Sequence, residues 1–199
     1  MSYVRKIEYR IIPDQSFKVI RKCATCNKKT RFHNSKRFRV NANGNKIDVW
    51  LIYNCEKCKH TLNLTIYERK TSSQIASKEV QRFLENDEEL ADEYGKSKGF
   101  FNNNKAEIDW EEVSYALQPR NNLSAYGNDE LVQEEKEATF VKRIHVLNEY
   151  GLHLRADKVV SEILQISRSQ QKKLIKEKKI FLTKEHGDLM IDIPFINKD

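Results

Sequence analysis

The chain has 199 residues, of which 39% are hydrophobic, enough for one domain or two small ones with real cores. No stretch approaches the roughly 18 uncharged apolar residues that a membrane-spanning helix needs. Met1 to Arg10 alternate charged and apolar side chains, which argues against a secretory signal, so the expected setting is the cytoplasm with no membrane partner. The net charge of +7 is unevenly distributed: residues 1–70 carry 17 Lys and Arg against 5 Asp and Glu, residues 71–154 carry 9 against 17, and residues 155–199 carry 10 against 7. Two basic ends around an acidic middle suit a polyanionic partner for the ends.

Four cysteines form two Cys-x-x-Cys pairs, Cys23 with Cys26 and Cys55 with Cys58. This spacing lets a tight turn aim two sulfurs at one ion, and two such turns complete a closed tetrahedral shell suited to one structural Zn2+. In a reducing compartment disulfides are disfavoured. Two pairs flanking a hairpin favour zinc over a redox dithiol, an iron–sulfur cluster or free buried thiols. His60 follows the second pair as an exposed knuckle residue. Between the pairs, Phe38 and Val40 alternate with Arg37 and Arg39, Asn43-Gly44 supplies a turn, and Ile47, Val49, Leu51 and Tyr53 recur at every second position, which predicts a long hairpin. Leu62, Leu64 and Ile66 predict a third strand. So small a sheet is expected to take much of its folding energy from the metal. Arg31, Arg37 and Arg39, interleaved with Phe32, Phe38 and Trp50, are candidate nucleic-acid contacts, against a plain reading of the rings as core.

In the acidic middle, Val80, Phe83, Leu84, Leu90 and Tyr94 predict a helix over Ser77 to Tyr94. A second helix is predicted from Asp109 as cap, with Glu112 at the reciprocal capping position, Ile108 stapled to Val113, a stripe of Trp110, Val113 and Leu117, and Pro119 after its end. Gly95 to Gly99, Asn102 to Asn104 and Asn121 to Asn128 read as loops. Glu111, Glu112, Glu134 and Glu135 read as solvated helix faces, and no phosphate loop, dinucleotide fingerprint or nucleophile elbow occurs.

From Leu154 to Ile180 a helix pair is predicted. The first helix opens at Arg155 to Lys158 with Val159, Val160, Ile163 and Leu164 as core; the second is capped by Ser167 with Gln170, and buries Leu174 and Ile175. Arg168, Lys172, Lys176 and Lys179 are expected on one stripe, a face able to follow phosphates. Ile180 to Leu182 and Leu189 to Ile191 predict a hairpin around His186-Gly187-Asp188.

The run Leu-Arg-Ala-Asp-Lys-Val-Val-Ser-Glu-Ile-Leu followed by Ile-Ser-Arg-Ser-Gln resembles the alpha-L RNA-binding motif of ribosomal protein S-four and its relatives. That resemblance implies a helix pair packed on short β-structure, with Arg155, Ser167, Arg168, Ser169, Lys172 and Lys173 facing RNA and Asp157 orienting the first helix. Phe-Arg-Val-Asn-Ala-Asn-Gly-Asn-Lys-Ile-Asp-Val-Trp-Leu-Ile-Tyr between the cysteine pairs, with Asn-Leu-Thr-Ile-Tyr-Glu-Arg after them, is similar to a bacterial family, domain of unknown function 1062. The expected architecture is therefore α+β: an antiparallel zinc ribbon over 1–72, a helical acidic scaffold over 73–137, and an alpha-L domain over 138–199. The expected function is non-enzymatic binding of structured RNA, ribosomal or transfer, by charge and shape. The alternatives are a DNA-binding regulator using the ribbon and an RNA-modifying enzyme with its site in the middle.

Overall fold

Strict alternation of apolar and polar side chains dominates this chain, and it folds accordingly into two sheets. The computed structural model describes residues 5–120 and 140–194. The loop expected over Asn121 to Asn128 and the faces at Glu134 and Glu135 lie outside the described residues. In chain order the elements are β1 (Arg5–Pro13), β2 (Val19–Cys23), β3 (Lys28–Asn43), β4 (Lys46–Cys55), β5 (Thr61–Thr71), α1 (Ser77–Leu84), α2 (Glu88–Gly95), α3 (Lys98–Asn103), β6 (Glu107–Ile108), β7 (Tyr115–Arg120), β8 (Phe140–Leu147), α4 (Ala156–Leu164), α5 (Arg168–Lys176), β9 (Phe181–Glu185) and β10 (Asp188–Pro194). They divide into two compact units, Pro13–Tyr115 and the discontinuous Met1–Ile12 with Ala116–Asp199.

The expected α+β ribbon with a helical middle is corrected. The described residues are 45% strand against 27% helix. Among the described residues the acidic segment supplies short helices and one strand to each sheet. The predicted helix over Ser77 to Tyr94 is two helices, because Asn86 adopts a left-handed φ of 55° and Asp87 caps α2 by accepting from the Leu90 N–H at 3.0 Å. The predicted helix after Asp109 is a single 3-10 turn, Trp110–Glu112. Its capping carboxylate is taken by Arg31, its neighbour Ile108 pairs with Val19 in the sheet, and the chain from Tyr115 extends as β7. The segment expected as loop around Asn102 is helical in α3, capped by Ser97.

In the Pro13–Tyr115 unit the strand order is β5-β4-β3-β2-β6, with antiparallel pairing throughout. The predicted long hairpin is present, closed by a two-residue turn at Gly44 and Asn45, with Gly44 at φ 59°. Ile47, Val49, Leu51 and Tyr53 are buried on one face of β4. Three short helices cover that face: Phe83 packs edge-on to Phe38 at 5.0 Å, and Phe101 meets Tyr53 and Phe17, both at 6.0 Å. The side-chain amide of Asn104 clips the edge of β5, accepting from the Thr65 N–H at 2.6 Å and donating to its carbonyl at 3.0 Å.

Gly95 ends α2 where no side chain fits. A Cβ there would lie 2.2 Å from Ser16 Oγ and 2.7 Å from Asn34 Nδ2, groups already joined to each other and to Asp92 and Ala91. Gly95→Ala is expected to lower stability by about 1–3 kcal/mol in urea unfolding. Gly99→Ala, whose new methyl meets nothing nearer than 3.9 Å, is expected to leave it unchanged or slightly raised.

The second unit holds the order β7-β1-β8-β10-β9. β1 and β8 run parallel, matching Ile7 to Ile144 and Tyr9 to Val146, and β8, β10 and β9 are antiparallel. The first strand, expected within the ribbon, therefore belongs to this other sheet. Val159 and Val160 of α4 are fully buried, as are Val146 and Ile191 of the sheet. Asn148 braces the turn after β8 through hydrogen bonds to the backbone of Leu152 and Gly187. The predicted terminal hairpin forms, turning at His186 and Gly187.

Candidate metal centre and basic surfaces

Cys23 ends β2 and Cys55 ends β4, while Cys26 and Cys58 lie in the turns that follow. Residue 27 and residue 59, each just after the second cysteine of its pair, adopt left-handed φ of 51° and 62° although they are Asn and Lys. The two turns thus share this left-handed residue; in the first the Cys26 N–H donates to Cys23 Sγ at 3.4 Å, and in the second the Lys59 N–H donates to the Cys55 carbonyl at 3.0 Å. All four sulfurs lie within 4.8 Å of one another; Cys23 and Cys58 are 3.5 Å apart, Cys26 and Cys55 3.9 Å. A tetrahedral thiolate shell with bonds of about 2.3 Å has edges of roughly 3.8 Å, so the four can hold one metal ion. His60 is exposed, outside this cluster, and its Nδ1 lies 3.2 Å from Thr25 Oγ1.

Protonation within the cluster is uneven. The Thr30 hydroxyl, 3.3 Å from Cys55 Sγ, and the N–H groups of Cys58 and Lys57 bring the Cys55 thiol down to about 6 against the opposing effect of burial. Hydrogen bonding to Cys58, burial and the other two sulfurs push the Cys26 thiol up to about 12. Four adjacent sulfurs cannot all ionise without a cation, and a divalent ion at their centre removes that conflict. Thr30 is a contributor that sequence reasoning missed; its only signal is a buried hydroxyl opposite Arg21 in the ladder.

The basic residues fall into different situations. Arg31 is bound to Asp109, with Glu112 at 3.6 Å, so it is an internal partner and not an open contact. Arg37 is exposed, and Arg39 lies over the Trp50 ring at 5.9 Å. In the other unit, the capping box of α5 is formed: Ser167 Oγ accepts from the Gln170 N–H and Gln170 Oε1 accepts from the Ser167 N–H. Ser167 and Ser169 hydroxyls are 3.0 Å apart. Asp157 sits between Arg155 at 2.9 Å and Arg168 at 3.2 Å, and the first of these ion pairs, then the second, holds its carboxyl below the usual range. Lys172, Lys173 and Lys176 are exposed. The expected four-cation stripe is shortened, because α5 ends at Lys176 and Lys178 turns left-handed at φ 56°. Lys179 lies beyond the helix with Glu177 at 2.7 Å, and Ile175, expected inside, is 42% exposed while Gln171 takes the buried position.

A groove of about 530 Å³ between α1 and α2 is lined by Lys78, Glu79, Arg82, Leu90, Glu93 and Tyr94. Its polar groups are matched internally: the hydroxyls of Tyr67 and Tyr94 both donate to Glu79, and Arg82 pairs with Asp87 and Glu93. Glu112, expected as a solvated face, pairs with Lys18 at 3.3 Å and with Arg31. Among the described residues, Glu88, Asp92, Glu107, Asp109 and Glu112 of the middle are thus partners for the sheet-side cations Lys18, Lys29, Arg31 and Lys36.

The fold and site define a class: a two-sheet β-rich protein with a four-cysteine centre that can hold a metal ion. The family model of DUF1062, described as a protein of unknown function, matches residues 40–186, and the chain belongs to that family. The matched span includes Cys55, Cys58, α4 and α5. No curated protein and no solved structure matches the chain. Among the described residues no helix is long and apolar enough to cross a membrane.

Proposed function

We propose that the protein binds structured RNA through the α4–α5 pair, with one structural Zn2+ held by Cys23, Cys26, Cys55 and Cys58. The observation carrying the RNA reading is the exposed face of α5, where Lys172 and Lys176 have no carboxylate partner among the described residues. The formed capping box at Ser167, with Arg155 and Arg168 gathered about Asp157 at the helix N-termini, adds a seat for a phosphate. This arrangement suits the alpha-L resemblance and ribosomal or transfer RNA, gripped by shape and charge. For the metal, a compact four-sulfur tetrahedron suits a single zinc, since a multi-iron cluster would hold the sulfurs farther apart. With four protein ligands the ion has no open position for catalysis.

The test is fluorescence anisotropy of an RNA hairpin with the full-length protein across a salt series. Combined Arg168→Glu and Lys172→Glu is expected to weaken binding by about tenfold or more and to flatten the salt slope by about two. Circular dichroism and bound zinc should be unchanged. Wild-type affinity in the double variant would overturn the assignment. Duplex DNA outcompeting the hairpin at matched salt would replace RNA by DNA.

A further inference from the structure

Among the described residues, not every cation of the Pro13–Tyr115 unit has a carboxylate partner. β2 and β3 pair so that Lys22 stands directly opposite Lys29. Like charges facing across a ladder destabilise it. The nearby carboxylates are committed elsewhere: Glu56 to Lys18 at 2.9 Å, Asp109 to Arg31, and Glu112 to both. Lys29 has Glu107 at 3.4 Å, but the two side chains are 73% and 61% exposed, a weak and screened pair. Lys22 and Lys57 are exposed and have no carboxylate partner among the described residues. A dianionic metal–thiolate shell offsets part of this excess, yet it does not explain two lysines set face to face.

Beside this pair lies a cleft of about 320 Å³, lined by Ile20, Lys29, Thr30, Arg31, Glu56 and Lys57. That is within the lower range of small-ligand sites. Its walls are linked by the Glu56 N–H, which donates to the Arg31 carbonyl at 3.0 Å and ties the second knuckle to β3. From the cleft the open face of β3 continues. The bulge between Asn34 and Arg37 brings Arg37 opposite Ile52 and Arg39 opposite Trp50, on the face of β4 away from buried Leu51 and Tyr53. Arg31 to Arg39 spans on the order of 20 Å of strand. Exposed Lys29, Arg37 and Arg39, the last with its guanidinium over the Trp50 indole at 5.9 Å, match a polyanion with flat bases better than an acidic peptide.

We infer that this face binds single-stranded RNA, its phosphates on Lys22, Lys29 and Lys57 in and beside the cleft and a base at Trp50. The inference rests on the RNA reading above but uses a different surface. Two sites on one chain would raise affinity for an RNA that engages both.

The full-length protein is titrated with a hairpin, with a single strand, and with the hairpin carrying a single-stranded tail. Combined Lys22→Glu and Lys57→Glu is expected to weaken the single strand by about tenfold or more and to lower its salt slope by about two, with hairpin affinity unchanged. Trp50→Leu is expected to weaken the single strand several-fold at unchanged salt slope, as loss of a stack does. Arg168→Glu with Lys172→Glu should weaken only the hairpin, so failure of either surface is recognised separately. Single-strand binding as in wild type by the Lys22/Lys57 variant overturns the inference. So does loss of zinc alone in that variant, or poly-glutamate displacing the strand as well as unlabelled RNA does.

Discussion

Chelator treatment of the full-length protein is expected to open the knuckle end of the Pro13–Tyr115 unit, where the four cysteines can hold an ion, while its centre stays folded. The four cysteines join the ends of β2 and β4 to the turns after them, and Cys23 and Cys55 are fully buried. Structural zinc in small fingers contributes an apparent ~10–16 kcal/mol and their folding depends on it. This unit differs in having an aromatic core of its own, with Phe17, Phe32, Tyr53, Phe83 and Phe101 all below 2% exposed. The expected loss is therefore partial, about 5 kcal/mol, with a cooperative transition remaining. Hydrogen exchange should show the amides of Cys26, Glu56 and Lys59 losing protection, and those of Val49 and Leu51 keeping it. Cys55→Ser should reproduce the effect more strongly than Cys58→Ser, because Cys55 is fully buried at the end of β4 while Cys58 is exposed. Unchanged protection at the knuckles would show that the site carries no stabilising metal, whereas global unfolding would show that the aromatic layer cannot stand without it.

Phe101→Ala is expected to cost about 3–5 kcal/mol, the penalty for emptying a fully buried aromatic site. Phe101 sits on a helix of six residues with little stability of its own, and it touches Phe17, Tyr53 and Phe100. The short helices hold their place by these rings. Tyr53→Phe provides the comparison: it keeps the ring and removes only the hydroxyl donating to the Phe17 carbonyl at 3.2 Å, a change of about 1 kcal/mol. Both are read from urea unfolding under identical buffer and metal conditions. Equal costs would mean that α3 is an ornament on the sheet and not part of its core.

The elements legible in the sequence were those whose signal is local. The β3–β4 hairpin follows from period-two alternation around Asn43-Gly44, and the cysteine cluster from two short spacings that a tight turn brings to one point. The capping box at Ser167 and Gln170 is likewise a four-residue device. Partner-dependent features were not legible. Asp109, Glu112 and Ile108 carry every local mark of a helix start, but Arg31, distant in sequence, takes the carboxylate and Val19 takes the backbone. A salt link and a ladder that also closes the sheet edge outweigh a cap on an isolated turn. Ile175 shows the same limit: its helical position suggested burial, but the amide of Gln171 fills that place, near Ser161 of α4 at 3.4 Å.

By itself, then, the sequence determined where the β3–β4 and terminal hairpins turn, that Ser167 with Gln170 caps α5, and which four sulfurs could share an ion, since each depends on atoms a few residues apart. Only the tertiary structure decided that the alternating residues from Arg5 join a sheet with β8, and that the acidic middle contributes to both units. Strand pairing over such separations is set by which buried faces fit together, and one chain's alternation is compatible with many partners. It also decided which arginines are free: Arg31 and Arg39 look alike in the sequence, yet one is bound to a buried carboxylate and the other lies on an exposed face over an indole.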